Sequence, residues 1–195
     1  MDEIVDAATG LFGARGIKGT TIAAIAERVG LTDAGVLHHF PTKAALVEAA
    51  LERGLQHQIA QLQEFIAPGG LEAIRGMAAW GQTVEESPEL VALQVAMSAE
   101  AIFADSPLHD YAVQRYRNVH DLAAGLIREG IDRGEIRPEA DAEFEASALI
   151  AYLDGVRLQW FLASGEFELA AHVRHYVELL VDRLARQPRP GKARR

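Results

Sequence analysis

The chain has 195 residues, 49% of them hydrophobic, with no cysteine and a formal net charge of −9. That is enough apolar side chain for a sizeable core, and it excludes a disulfide framework or a thiolate metal site. No stretch approaches the roughly 18 apolar residues of a membrane span, and the acidic opening Met1-Asp2-Glu3-Ile4 lacks the order of a secretory signal, so a soluble cytoplasmic protein with no membrane partner is expected.

Apolar residues recur at helical spacing along nearly the whole chain and no segment alternates strictly, so an all-α fold is predicted. A first helix over about Asp2–Ala14 carries Ile4, Val5, Ala8, Leu11 and Phe12 on one stripe, with Gly13 and Gly16 as its stops. A second, about Thr21–Val29, opens on Thr20 or Thr21 as N-cap and closes at Gly30. Thr32 caps a short third helix, about Asp33–His39. After Pro41-Thr42 a long fourth helix runs from Lys43 to Ile66, where Pro68-Gly69-Gly70 ends it. Ser87-Pro88, Ser106-Pro107, Arg137-Pro138 and Ser164-Gly165 then divide helices over about Leu71–Glu86, Glu89–Phe103, Leu108–Arg133, Asp141–Ala163 and Glu168–Arg186. The last residues are rich in Pro, Gly and Arg, a disorder-prone composition. The expected organisation is a DNA-binding unit at 1–45, a larger helical unit at 46–186 and a basic tail at 187–195.

The negative charge is unevenly spread. Residues 1–45 hold Arg15, Lys18, Arg28 and Lys43 against Asp2, Glu3, Asp6, Glu27 and Asp33, close to balance. The acid excess falls almost wholly on the following 140 residues, and five basic side chains close the chain. A nearly neutral first unit is a weak electrostatic footprint for a nucleic-acid binder, but not a prohibitive one.

Two short helices around a tight glycine turn, the second opening on Thr-Asp, form a helix-turn-helix pattern. Thr20-Thr21-Ile22, Ile25-Ala26, Val29-Gly30-Leu31-Thr32, His39-Phe40, Lys43 and Leu46 stand in the order and spacing of the tetracycline-repressor (TetR) family, which the segment closely resembles. The resemblance implies a helix-turn-helix regulator, released from double-stranded operator DNA by a small-molecule effector. It implies phosphate contacts from Thr21 and Lys43, with Thr32 capping the recognition helix. Asp33, Ala34, Gly35 and His38 then face the groove, with His39 as a further contact. Physically, Asp33 can accept from cytosine N4 and Ala34 can touch a thymine methyl. Two departures from the family pattern stand out. Leu37 occupies the position where the family usually has a phosphate-binding tyrosine, and contacts from a basic arm ahead of the first helix are not expected.

In the larger unit, Tyr152, Val156 and Trp160 on one helix and Val173, Tyr176, Val177, Leu180 and Leu184 on the next fall at helical spacing. The resemblance implies that these helices pair with those of a second copy as a two-fold four-helix bundle. Met77, Trp80, Met97, Phe103, Tyr111, Tyr116, His120 and Gln159 are the candidates to line an effector cavity, being aromatic, thioether or polar-tipped side chains that pockets and cores both use.

An enzyme is not expected. There is no G-x-S-x-G, no phosphate-cradling glycine loop and no cysteine nucleophile. Of the seven histidines only His172 and His175 lie one turn apart, and two ligands do not make a catalytic zinc site. No cofactor, metal or catalytic residue is therefore assigned. The alternative reading is a helical dimer that binds a ligand or a protein and has lost specific DNA binding.

Overall fold

The computed structural model describes residues 1–185, with the backbone alone at Gln61 and Leu62. The predicted tail at 187–195 lies outside the described residues. The described chain is helical: α1 (Asp2–Gly19), α2 (Ile22–Val29), α3 (Asp33–His39), α4 (Lys43–Ile66), α5 (Gly70–Gly76), a 3-10 turn (Met77–Ala79), α6 (Trp80–Glu85), α7 (Pro88–Glu100), α8 (His109–Asp132), α9 (Ala142–Leu162) and α10 (Leu169–Leu184). The β structure among the described residues is one isolated bridge between Ile136 and Ala185.

Three boundaries differ from the sequence reading, each because a tertiary contact overrides the local signal. Helix α1 does not stop before Gly13; it continues to Gly16, which breaks it at φ 72°, and a last turn reaches Gly19. A Cβ on Gly13 would lie 2.5 Å from the Glu89 carbonyl oxygen, so this glycine admits the start of α7 against α1 rather than ending a helix. The helix predicted over Leu71–Glu86 is divided by the turn at Met77–Ala79. Just before that turn, a Cβ on Gly76 would meet the Phe65 carbonyl at 2.2 Å. Helix α7 ends at Glu100 rather than Phe103, where His109 Nδ1 donates to the Ala101 carbonyl at 2.9 Å and turns the chain toward α8.

Carboxylates join distant elements by accepting from free helix N-termini. Glu129 and Glu135 on and after α8 accept from the backbone amides of Gly70 (3.2 Å) and Leu71 (2.9 Å), and Glu85 accepts from Ala170 at the start of α10 (3.1 Å). Asp141 caps α9 within its own chain segment, accepting from Glu143 and Phe144 at 3.1 Å. The Gly134–Pro138 turn is fixed to the end of α10 by Arg137 N donating to the Leu184 carbonyl at 2.9 Å. The buried Glu145 carboxylate lies between Arg183 (2.6 Å) and Arg137 (3.5 Å).

Apolar packing forms two clusters. One joins α1, α2 and α3 to Leu46, Val47, Ala50 and Leu51 of α4 and to Leu93, Met97, Ala101 and Leu108. The other gathers α5 to α10 around Ile74, Ile127, Ile136, Leu149, Leu169 and Leu180. The first three helices therefore do not close a core at residue 45. They borrow α4 and the α7 region, as so short a unit must to bury enough surface.

Candidate DNA-binding surface and effector region

The first helices are built by complementary capping. Thr21 Oγ1 accepts from Ala24 N (3.1 Å), Thr32 Oγ1 from Gly35 N (3.1 Å) and Thr42 Oγ1 from Ala45 N (3.0 Å), so each of α2, α3 and α4 starts on a threonine. Gly30, at φ 69°, supplies the left-handed residue that ends α2, and Leu31 N donates back to the Ala26 carbonyl at 2.9 Å. The resulting angle seats α3 through Val36 and Phe40, both buried in the first cluster. Asp33, Ala34, Leu37, His38 and His39 are thereby left exposed and Gly35 half-buried. Leu31 and Leu37 are large apolar residues that face solvent here, 44% and 40% exposed. The His38 and His39 rings meet edge to face, 5.5 Å apart.

Lys43 and Thr20 have work inside the chain. The Lys43 ammonium donates to the carbonyls of Ile17 (3.0 Å) and Thr20 (3.2 Å), closing the C-terminal end of α1 where a positive charge is favoured. The fully buried Thr20 hydroxyl lies 3.0 Å from the Leu11 carbonyl and 2.9 Å from that of Gly16. Thr21, not Thr20, is the N-cap of α2. Arg53 on α4 pairs with Asp2 and Asp6, which neutralises much of the acid at the start of α1.

The residues expected at the dimer interface are largely used within the chain. Val156, Val173, Val177, Leu180 and Leu184 are 4% exposed or less and belong to the second cluster, and Trp160 is half-buried against it. Tyr152 and Tyr176 are half-buried and stack on each other at 3.7 Å. The exposed apolar stripe on α9 is a different one. Phe144, Ala151, Leu158 and Leu162 are exposed and Ala148 and Gly155 half-buried, the six alternating by four and three residues as in a coiled-coil seam, and Leu179 on α10 is also exposed. Both faces of α9 are apolar, and the sequence does not say which one meets the chain's own core.

The eight effector candidates also separate. Met97 is buried in the first cluster, Met77 and Trp80 are half-buried on the second, and Tyr111 is half-buried against the first. His120 sits between α8 and α9, its Nε2 3.2 Å from the Glu143 carbonyl and 3.1 Å from Ser147 Oγ, with Tyr116 stacked on it. Phe103, Tyr116 and Gln159 are on the outside of the chain. Where α4, α7 and α9 meet there is instead a polar seam that the candidates missed. Gln94 Nε2 donates to Gln58 Oε1 (3.3 Å), Arg157 Nη1 donates to Gln94 Oε1 (2.9 Å), and Arg157 pairs with Asp154 and lies 5.2 Å over the Trp80 ring. A separate cleft of about 590 Å³ opens between α1, α4 and the start of α7, lined by Arg15, Arg28, Arg53, His57 and Glu89, and contains none of the eight.

A tri-threonine-capped helix-turn-helix, with an exposed second helix carried on a larger helical body, defines a DNA-binding transcriptional regulator. Comparison with known proteins makes that class specific: residues 4–50 match the family of bacterial regulatory proteins named for tetR, and residues 75–185 match the BetI-type transcriptional repressor C-terminal domain. The chain belongs to the TetR family, with a C-terminal domain of the BetI type. Among its relatives, the repressor KstR2 of Rhodococcus jostii is 26% identical over 94% of this chain and 90% of its own. The regulator TtgR of Pseudomonas putida is 28% identical over 95% and 91%. The fold is also that of a Saccharomonospora viridis regulator solved in complex with choline, with TM-score 0.78, 22% identity and coverage of 95% and 97%.

Proposed function

We propose that this regulator is a homodimeric repressor, acting in the cytoplasm, that leaves a two-fold operator when a small organic effector binds within its larger domain. The observation that carries the reading is the division of α3. Val36 and Phe40 hold it in the core while Asp33, Ala34 and His38 are left free for the edges of base pairs. Around them, the capped starts of α2 and α4 present remaining backbone amides to phosphates, with Thr21 beside one of them and His39 nearby. Lys43 contributes less than its position in the family pattern implies, since two of its protons are committed to α1.

Dimerisation through the exposed stripe of α9 and Leu179 would place two copies of α3 on one face of the assembly. Consecutive major grooves require their centres about 34–36 Å apart. Helix α4 connects this spacing to the interior: its first half is buried in the cluster around α1–α3, and Gln58 in its second half belongs to the polar seam. An effector that binds one tilt of α4 about 100-fold better than the other supplies roughly 2.7 kcal/mol per site toward release. KstR2 is named a repressor, and the S. viridis regulator holds a small organic molecule, which supports both halves of the reading.

The test is footprinting of the full-length protein on the region upstream of its own gene at about 50 mM salt, where phosphate contacts are strong. A two-fold symmetric protected site, occupied by an even number of chains, is expected. A stable dimer that protects nothing would leave the alternative, a ligand- or protein-binding module, in its place.

A further inference from the structure

Buried polar groups are ordinarily satisfied, so the ones that are not identify what a site is built to receive. In the seam between α4, α7 and α9, Gln58, Gln94 and Arg157 are 4%, 2% and 8% exposed. The acceptors of this chain are used: Gln58 Oε1 takes a proton from Gln94, and Gln94 Oε1 takes one from Arg157. Gln58 Nε2 in the seam, and Arg115 Nε and the Tyr111 hydroxyl on α8, are buried without a hydrogen-bond partner among the described residues; away from them one Glu145 oxygen also lacks a hydrogen bond but is ion-paired with Arg183. Burial pushes the Tyr111 pKa up, so that hydroxyl keeps its proton and can donate it.

The charges point the same way. Burial and the neighbouring Arg115 both disfavour the Arg157 cation, and Asp154, the acid that offsets them, is itself 54% exposed. Arg115 and Arg157 lie close enough to oppose one another and the Asp154 partner of Arg157 is solvated, so positive charge prevails at the seam itself, while Glu48 and Glu52 act on Tyr111 from α4. The Trp80 face that could hold a quaternary ammonium is already covered by Arg157. A cationic ligand would meet the repulsion of both arginines. The apolar clusters on either side of the seam suit a hydrocarbon body.

We infer that the effector is an amphipathic organic anion whose carboxylate or equivalent oxyanion is received by Gln58, Arg115 and Arg157; this rests on the reading of the larger domain as an effector domain. The probes are decanoate, decyltrimethylammonium and decanol, which share a chain and differ in head group, each titrated calorimetrically into the full-length protein. Decanoate is expected to bind at least tenfold tighter than the other two. Arg115→Met should reduce decanoate affinity at least tenfold while leaving the melting temperature unchanged or raised, because it removes an unpaired donor and a like charge. Equal or tighter binding of the ammonium or the alcohol overturns the anion assignment but keeps an interior ligand site; no binding by any probe overturns both. Unchanged decanoate affinity in Arg115→Met, or a lowered melting temperature, overturns the role given to that arginine and the inference with it.

Discussion

Lys43 stands half-exposed at the start of α4. Its place in the family pattern implies a phosphate contact, yet its ammonium holds the Ile17 and Thr20 carbonyls and so ties the start of α4 to the end of α1. Lys43→Met should therefore lower stability by about 1–2 kcal/mol, a figure kept low because the side chain is half-exposed. Thermal denaturation checks this, and an unchanged melting temperature would return Lys43 to a purely DNA-facing role. Leu37 gives the opposite case. It is exposed, so Leu37→Tyr should leave the melting temperature alone and tighten operator binding by about fivefold, the worth of one added phosphate hydrogen bond of roughly 1 kcal/mol. Fluorescence anisotropy on operator DNA decides it, and weaker binding would show that the leucine itself contacts the DNA.

Thr32 was legible as a cap, whereas for α2 the sequence offered Thr20 or Thr21 and only packing decides, since Thr20 is buried on the Leu11 and Gly16 carbonyls. Thr42 carries the same signal and serves the same purpose. The polar seam left a trace as well: Gln58, Gln94 and Arg157 interrupt apolar stripes of α4, α7 and α9 at core-facing positions. A polar residue at such a position announces a buried partner. What could not be read is which partner, since Gln58 and Arg157 are nearly a hundred residues apart and only tertiary packing brings them to one place.

Among the elements, the helix-turn-helix followed its sequence closely and the break at Gly13 did not. Glycine within a helix reads as a stop unless one knows that another backbone comes within touching distance, which here is Glu89 at the start of α7. Helix α9 presents the same difficulty in another form. Phe144, Leu158 and Leu162 are exposed while Leu149 and Val156 are buried, and both sets keep a helical period. Substitution separates them. Leu158→Glu should leave a folded chain that no longer dimerises, because it places a charge in the proposed contact and nowhere in the core. Leu180→Glu, at 1% exposure, should instead cost several kcal/mol and unfold much of the protein. Circular dichroism and light scattering on the pair distinguish the two fates. A Leu158→Glu protein that remains dimeric would move the interface to another face.

Over the whole molecule, the two apolar clusters matter more than the division at residue 45. The DNA-facing helices share their core with α4 and the α7 region, so a movement of α4 or α7 is felt by α3 without crossing a flexible linker. The polar seam joins α4 to α7 and α9 by hydrogen bonds, so a ligand that engages those groups acts on α4 directly. Linkage then requires that any ligand which weakens operator binding be itself bound more weakly in the presence of operator, by the same factor. All of this depends on α3 being the element that reads DNA. The direct measurement is the affinity of a variant carrying Asp33→Ala and His38→Ala together, for an operator selected from a random double-stranded library and for unselected DNA. The account predicts a helical, dimeric protein whose affinity for the selected site falls to that for unselected DNA. Retention of the wild-type preference would contradict it, and would place sequence recognition on some other part of the chain.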